Sequence, residues 1–375
     1  MTGDVNILDI AKYHSIKKFE LIEKYVQAWA EILMLNKLCN TLVFIDCMSN
    51  SGEYEDAENK GSTVMGTPVR VSKALKEVAK KHLDKQILLY FNDFSEKKIE
   101  HLKKIVEKDS VNFHTKFSVG DGNALLKELA GKLTRMKNTH FLLEYDPFNA
   151  TIDWEALIPF LNNWGEVIIN HSIQDSTRAV KMARRKEAIN KYEKTYLMDI
   201  ENLIPYGSDK DAYEKRIQEI IKALHLEKSR KYYVASFPFF NSKNAIMYNL
   251  IHCTSNLKGF KLYKTTAWQT FGGKSSTKHT HGKEYQYALD FDGIGTPEIT
   301  TDANCYYVQD IATYLQKEFD GEKDIPLDNI WKVLDEHPVF PSDGFKKEIK
   351  QELKTLYGAI IGRTTITFAH KGLNK

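Results

Sequence analysis

Four aspartates, Asp46, Asp93, Asp121 and Asp146, each close an apolar run: LVFID, QILLYFND, HTKFSVGD and THFLLEYD. A carboxylate at the end of a buried strand can accept ribose hydroxyls, bracket the edge of an adenine or orient an amine. Asp93 ends the second run and is placed for the ribose, while Asp121 is placed for the adenine with Asn123 beside it. The first run breaks after Asp46 into a polar turn, CMSNSG, in which Gly52 is the only glycine. Such a turn needs a left-handed backbone, and asparagine is among the non-glycine residues that best tolerate one, so Asn50 can preserve it. The fourth run continues Asp146-Pro147-Phe148. Enzymes that methylate exocyclic amines often carry an Asp/Asn-Pro-Pro-aromatic turn at this place, where the polar side chain accepts from the amine and the ring stacks on the base. Here there is one proline rather than two. The plainer reading of each acid is a helix N-cap, and of the Asp-Pro pair a stiffened strand exit.

The elements that would position these acids follow from periodicity. Residues 14–36 place Ile16, Phe19, Leu21, Ile22, Tyr25, Trp29, Ile32 and Leu33 near one face at helical spacing. Strand and helix then alternate five times up to EVIINH, with a short acidic loop (EYEDAENKGS) after the first turn. Thr67 suits an N-cap and Pro68 the first helical position. Continuous apolar strands imply a mainly parallel sheet covered on both faces, with ligands beyond the carboxyl ends of the strands. Residues 175–230 turn helical and highly charged and read as an inserted element. KYYVASFPFF and NAIMYNLIHCT read as an antiparallel hairpin that completes the sheet, and three short helices with a final strand suggest a winged-helix-like tail.

Composition sets bounds. The 375 residues are 42% hydrophobic and 27% charged, and the net charge of +3 is too small by itself to indicate a nucleic-acid partner. No apolar stretch approaches the roughly 20 residues of a spanning helix, and the expected location is the cytoplasm, with no membrane partner. Cys39, Cys47, Cys253 and Cys305 lie far apart with no CxxC pair, which argues for reduced thiols rather than a disulfide framework or a zinc knuckle. His279-Thr280-His281 has no nearby carboxylate or cysteine to complete a metal site, and none is expected.

Two basic segments could meet phosphates. One carries Arg178, Lys181, Arg184 and Arg185; the other, a Gly/Ser-containing loop over 258–283, carries Lys264, Trp268, Lys274 and Lys278. Lysines attract phosphate and the aromatic rings offer stacking surfaces, which makes nucleic acid, DNA before RNA, the expected partner.

On its matching segments the chain resembles the three-Cys-motif partner proteins. These are bacterial and phage proteins with a class I methyltransferase-like domain, named for the radical-SAM-like proteins encoded beside them. The segments are HSIKKFELIEKYVQAW, LVFIDCMSNSGEY, MGTPVRVSKAL, LLEYDPFNATIDW and IMYNLIHCTSNLKGFKLYK, within residues 1–265. The family's signature before the first helix falls here on His14, Ser15 and Lys17. Its first turn, Asp-Gly-Phe-Ala-Gly-Pro-Gly, is here Asp46-Cys47-Met48-Ser49-Asn50-Ser51-Gly52. The resemblance implies a Rossmann-like α/β domain over 1–265 with a seven-stranded, mostly parallel sheet. A basic flexible loop at 266–284 and a helical, winged-helix-like module at 285–375 would follow. It also implies S-adenosylmethionine held by Asp46, Asn50, Gly52, Asp93, Asp121 and Asn123, with Asp146, Pro147 and Phe148 at the acceptor. A radical-SAM-like three-Cys-motif protein in DNA modification or repair is the implied partner. Two other readings stay open: a DNA-recognition scaffold that has lost the cofactor, and a small-molecule methyltransferase.

Overall fold

The computed structural model describes residues 7–147, 151–163, 165–172, 185–196, 199, 231–241, 243, 246–278 and 305–370. In chain order the elements begin with β1 (Asp9–Ala11), α1 (Tyr13–Met34), β2 (Thr41–Asp46), β3 (Glu53–Asp56), β4 (Thr63–Met65) and α2 (Thr67–Lys81). There follow β5 (Gln86–Asp93), α3 (Glu96–Ile105), β6 (Phe113–Val119), α4 (Gly122–Leu133), β7 (Thr139–Tyr145), α5 (Trp154–Leu161), β8 (Gly165–Ser172) and α6 (Lys186–Tyr196). The rest is β9 (Tyr233–Phe240), β10 (Ile246–Thr254), α7 (Leu257–Thr270), α8 (Val308–Glu318), β11 (Ile325–Pro326), α9 (Leu327–Asp335), α10 (Lys346–Tyr357), β12 (Ile360–Ile361) and β13 (Thr365–Thr367).

Every residue of β2 is buried, because both faces of the central sheet are covered. Its order is β6-β5-β2-β7-β8-β10-β9, parallel from β6 to β8, with β10 antiparallel to both β8 and β9. In order of appearance that is 3-2-1-4-5-7-6, the sheet of class I methyltransferases. Even-numbered residues of β2 and β7 (Leu42, Phe44, Leu142) join a core with α1, α2 and α7, while the odd ones (Val43, Ile45, Leu143) join another with α4 and α5. Alternation thus decides which strand residues look toward α1, a fact the site depends on. The strand order reverses between β2 and β7, the place where such sheets bind ligands.

Three features depart from expectation. The acidic loop after the first turn is a hairpin, β3–β4, and β1 pairs parallel with β3 to make a second small sheet. On α1, Ile32 is 53% exposed while Lys18 occupies the buried face. Thr67 is the first residue of α2 rather than its cap, a place taken by Gly66, and its hydroxyl donates to Glu144 Oε1 at 3.3 Å. In the inserted element only 185–196 and 199 are described, and α6 docks on α5 through Trp154 Nε1 donating to Thr195 O at 2.8 Å.

The expected loop over 258–283 is corrected. Residues Leu257–Thr270 form α7, capped by Asn256, whose side chain accepts from Lys258 N. Phe260, Tyr263, Ala267 and Trp268 sit in the main core at helical spacing. Lys264 is fully buried and donates to the carbonyls of Leu334 (2.8 Å), Asp335 (3.0 Å) and His337 (2.7 Å) at the end of α9. Trp268 is equally buried and its Nε1 donates to Val339 O at 2.9 Å. Neither side chain can reach a nucleic acid.

The C-terminal elements follow the order helix, strand, helix, helix, hairpin, with the small antiparallel sheet ordered β11-β13-β12. That is the arrangement of a winged helix, in which α10 is the third helix and 362–364 the tip of the wing. The module does not stand apart: one hydrophobic core runs from Leu21 and Phe44 through Trp268 to Ile311, Trp331, Ile349 and Phe368. Lys264→Met keeps the stem and strands three carbonyls, so it should cost on the order of 3 kcal/mol. Urea unfolding of the full chain should show a single transition at lower midpoint, with no separate C-terminal phase.

Candidate functional site

The turn after β2 is built from its own side chains. Asn50 has φ 58° and Gly52 φ 75°, so the asparagine takes the left-handed position as anticipated. Its Oδ1 accepts from Ser51 N at 2.6 Å and its Nδ2 donates to Asp9 of β1 at 2.6 Å. Gly52 is required twice over, by its φ and because a Cβ there would lie 2.4 Å from Leu102 Cδ1. Cys47 does not narrow the turn: its side chain is buried in the core beneath α4, and burial pushes its thiol pKa well up. Gly122 lets the start of α4 approach this strand end closely, since a Cβ there would come within 2.7 Å of Cys47 O.

Asp93 is buried, with Oδ2 accepting from Asn50 N at 3.0 Å and Oδ1 from Ser95 N at 2.8 Å. It therefore locks the turn to the end of β5, and each oxygen keeps a second lone pair for a ribose hydroxyl. Asn92 completes this scaffold: its Nδ2 donates to Cys47 O (3.0 Å) and Gly120 O (2.9 Å) while its Oδ1 accepts from Ser118 Oγ (2.8 Å). Three strand ends are thereby held at fixed spacing. Asp121 is exposed and caps α4 through Ala124 N at 2.7 Å. Asn123 accepts from the Tyr145 hydroxyl at 3.0 Å.

The face toward α1 changes character at the strand ends: after Phe44 comes Asp46, after Leu142 come Glu144 and Asp146, after Ile168 comes Asn170. Asp46 and Glu144 are register partners on adjacent strands. Lys18 reaches down from α1 and its Nζ lies 2.5 Å from Asp146 Oδ2, while Asn170 Nδ2 donates to Oδ1 at 2.8 Å. Phe19 and Tyr248 place their rings 5.8 Å from the same ammonium. Burial alone would depress the Lys18 pKa, but Asp146, Glu144 and Asp46 together hold it above the ordinary value. Burial and then Glu144 push Asp46 well up, and burial raises Glu144 to about 7. His14, one turn before Lys18, is lowered to about 4 by burial and by Lys12 and Lys18, so it is neutral at physiological pH. Among the described residues Glu144 Oε2 and Asn170 Oδ1 are buried with no hydrogen-bond partner.

The structure therefore brings Asp46, Asn50, Gly52, Asp93, Asp121, Asn123, Asp146 and Pro147 to one edge of the sheet, while Phe148 lies outside the described residues. Sequence reasoning missed Lys18, Glu144 and Asn170. Lys17, the lysine of the resemblance, pairs instead with Glu20 at 2.7 Å on the partly exposed side of α1. The missed signal was a lysine four residues from both His14 and Ile22, on the apolar stripe.

The basic residues fare differently. Arg178, Lys181 and Arg184 lie outside the described residues, and Arg185 is exposed before α6. Lys274 and Lys278 are half-buried in a segment anchored by Ser275 N to Tyr306 O at 2.9 Å, and Lys274 Nζ donates to Lys278 O. Lys264 and Trp268 lie in the core, so among the described residues only Lys274 and Lys278 of that set keep partial exposure. His279 and His281 lie outside the described residues. All four cysteines are buried and free, and among the described residues no helix is long and apolar enough to cross a membrane.

No protein-family model matches the chain, and no curated protein does either. Solved structures to which the chain is similar include LPL1258 from Legionella pneumophila, at 12% identity, covering 67% of this chain and 91% of that one with a TM-score of 0.38. Human methyltransferase-like protein 13, in complex with S-adenosylhomocysteine, is 11% identical over 73% of this chain and 97% of its own, with a TM-score of 0.32. The O-methyltransferase from Bacillus cereus, also in complex with S-adenosylhomocysteine, is 10% identical over 62% and 80%, with a TM-score of 0.34. These likenesses carry no argument by themselves, and the fold rests on the strand order of the sheet.

The left-handed φ of Asn50 generates a paired test. Asn50→Ala should cost about 2 kcal/mol in chemical denaturation, from the backbone penalty and the lost Asp9 contact, whereas Asn50→Gly should recover about half of that.

Proposed function

We propose that this chain binds S-adenosylmethionine across the carboxyl ends of β6, β5 and β2 and acts as a methyltransferase-fold protein on nucleic acid. The observation that carries the cofactor reading is the first turn: it keeps left-handed residues at Asn50 and Gly52 and is hydrogen-bonded to Asp93. Asp93 would accept from the ribose hydroxyls, Asp121 would meet the adenine edge, and the turn would pass beneath the ribose. The cofactor supplies an electrophilic methyl group; the chain must hold a nucleophile in line with it, and orientation provides much of the rate. Asp146 is the orienting group, aimed by Lys18 and Asn170, with lone pairs left over for an acceptor amine.

Calorimetric titration with S-adenosylhomocysteine tests this reading, with micromolar affinity expected. Asp93→Asn and Asp121→Asn preserve the fold contacts in part and should each weaken binding at least about tenfold, the scale of a lost charged hydrogen bond. Unchanged affinity in either would remove that residue's role. No binding at millimolar ligand would favour a scaffold that keeps the fold without the cofactor.

Support for the nucleic-acid partner moves from the segment around Lys264 to the winged helix. Lys347, Gln351, Lys354 and Thr355 form the exposed face of α10, opposite buried Ile349 and Leu353, and Arg363 is exposed on the wing. Helix α10 carries Lys346, Lys347, Lys350 and Lys354 against Glu348 and Glu352, so its own balance is basic. A third helix of this kind is suited to the major groove of duplex DNA. Replacing Lys347, Lys354 and Arg363 together by Ala should weaken duplex binding and reduce its salt slope by up to about 3, one per lost phosphate contact. A salt slope equal to wild type would move the nucleic acid elsewhere or remove it. A radical-SAM-like three-Cys-motif protein as physical partner belongs to the same proposal, and co-purification of the pair tests it.

A further inference from the structure

The carboxyl groups of Asp46, Glu144 and Asp146 converge at the switch point around one buried ammonium, that of Lys18. Two observations bear on whether the cluster takes a further positive ligand. Glu144 is 3% exposed, yet its Oε2 has no hydrogen-bond partner, a costly state for a buried carboxyl oxygen. The site also already seats one cation from the chain itself, Lys18 between Phe19 and Tyr248. The order of ligand groups agrees with the order of strands. S-Adenosylmethionine runs from adenine to ribose to sulfonium. Along the sheet edge Asp121 follows β6, Asp93 ends β5, and Asp46 with Glu144 stand at β2 and β7.

We propose that Glu144, within the Asp46–Glu144–Asp146 cluster, receives the positive sulfonium of S-adenosylmethionine, and that Glu144 releases a proton as it does so. The proposal rests on the cofactor reading above and deepens it: the site would distinguish the charged cofactor from its neutral product. The chemistry balances simply, since binding of one positive charge is offset by departure of one proton from the Glu144 carboxyl. Other groups facing Glu144 are Lys18 from α1, Tyr54 from β3, Asp46 from β2 and Tyr248 from β10, with His14 next to Lys18 on α1; Thr67 from α2 offers only its hydroxyl. His14 is lowered to about 4 and both tyrosines are raised well above their ordinary range, so none of the three titrates near neutrality. Asp46 is the one competitor, pushed up by burial and by Glu144 itself.

The sign follows from the raised acid. Burial holds the free-protein pKa of Glu144 at about 7, above its ordinary value. A bound cation lowers it again, so binding expels a proton between the two values. The affinity for S-adenosylmethionine relative to S-adenosylhomocysteine therefore rises with pH through neutrality and levels off above it.

The test is calorimetric titration of the full chain with each ligand at pH 5.5, 7 and 8, in buffers of unlike ionisation enthalpy. The expected result is about tenfold tighter binding of S-adenosylmethionine at pH 8, equivalent to one unit of pKa coupling. That preference should shrink at pH 5.5, with proton release near pH 7 for the charged ligand alone. Glu144→Gln should abolish the proton release while still binding S-adenosylhomocysteine, which shows that the variant is folded. Equal affinities and equal proton counts for the two ligands in the wild type overturn the proposal and leave the cofactor reading standing. Proton release that persists in Glu144→Gln overturns the assignment to Glu144. Failure of both ligands to bind overturns the cofactor reading itself.

Discussion

The buried ammonium of Lys18 is the interaction on which the edge of the sheet depends. Parallel strands that end side by side bring their last residues close together, and here three of those residues on one face are acids. Carboxylates at such spacing repel one another, and burial makes the repulsion strong. One lysine from the covering helix relieves it by binding the outermost acid, Asp146, and raising the field at the other two. Burial pushes the two deeper acids, Asp46 and Glu144, toward their protonated forms. Acids perturbed in this way cluster at functional sites.

The first turn shows how a glycine-rich motif can lose glycines and keep its path. What the backbone requires is a left-handed residue at one position and empty space at another. Asn50 meets the first requirement, and Gly122, on a different loop, leaves room beside the backbone of Cys47. Asn92 then ties the first turn to the ends of β5 and β6. The geometry is distributed over three loops.

Much of this was legible in the sequence. Buried strands separated by amphipathic helices identify the sheet, and acids closing the apolar runs mark its carboxyl edge. In the tail the three short helices and the final strand were legible, while β11 and β12, two residues each, were not. Lys18 was not, because helical periodicity classes lysine as polar and its partner is 128 residues away. The α7 segment misleads for the opposite reason: Phe260, Tyr263, Ala267 and Trp268 carry a helical pattern, yet the lysines among them suggest a solvated surface. Lys264 earns its buried place only by meeting three carbonyls from residues 70 or more positions later. Strands β1, β3 and β4 are too short and polar to announce themselves.

The capping of α9 by Lys264 has a consequence for how the two ends of the molecule work together. Because α7 belongs at once to the sheet's core and to the winged helix, α10 is fixed relative to the Lys18–Asp146 site rather than hung on a tether. On the reading proposed above, a polymer held by α10 would meet the sheet edge at one fixed distance along its length, set by the rigid core between them.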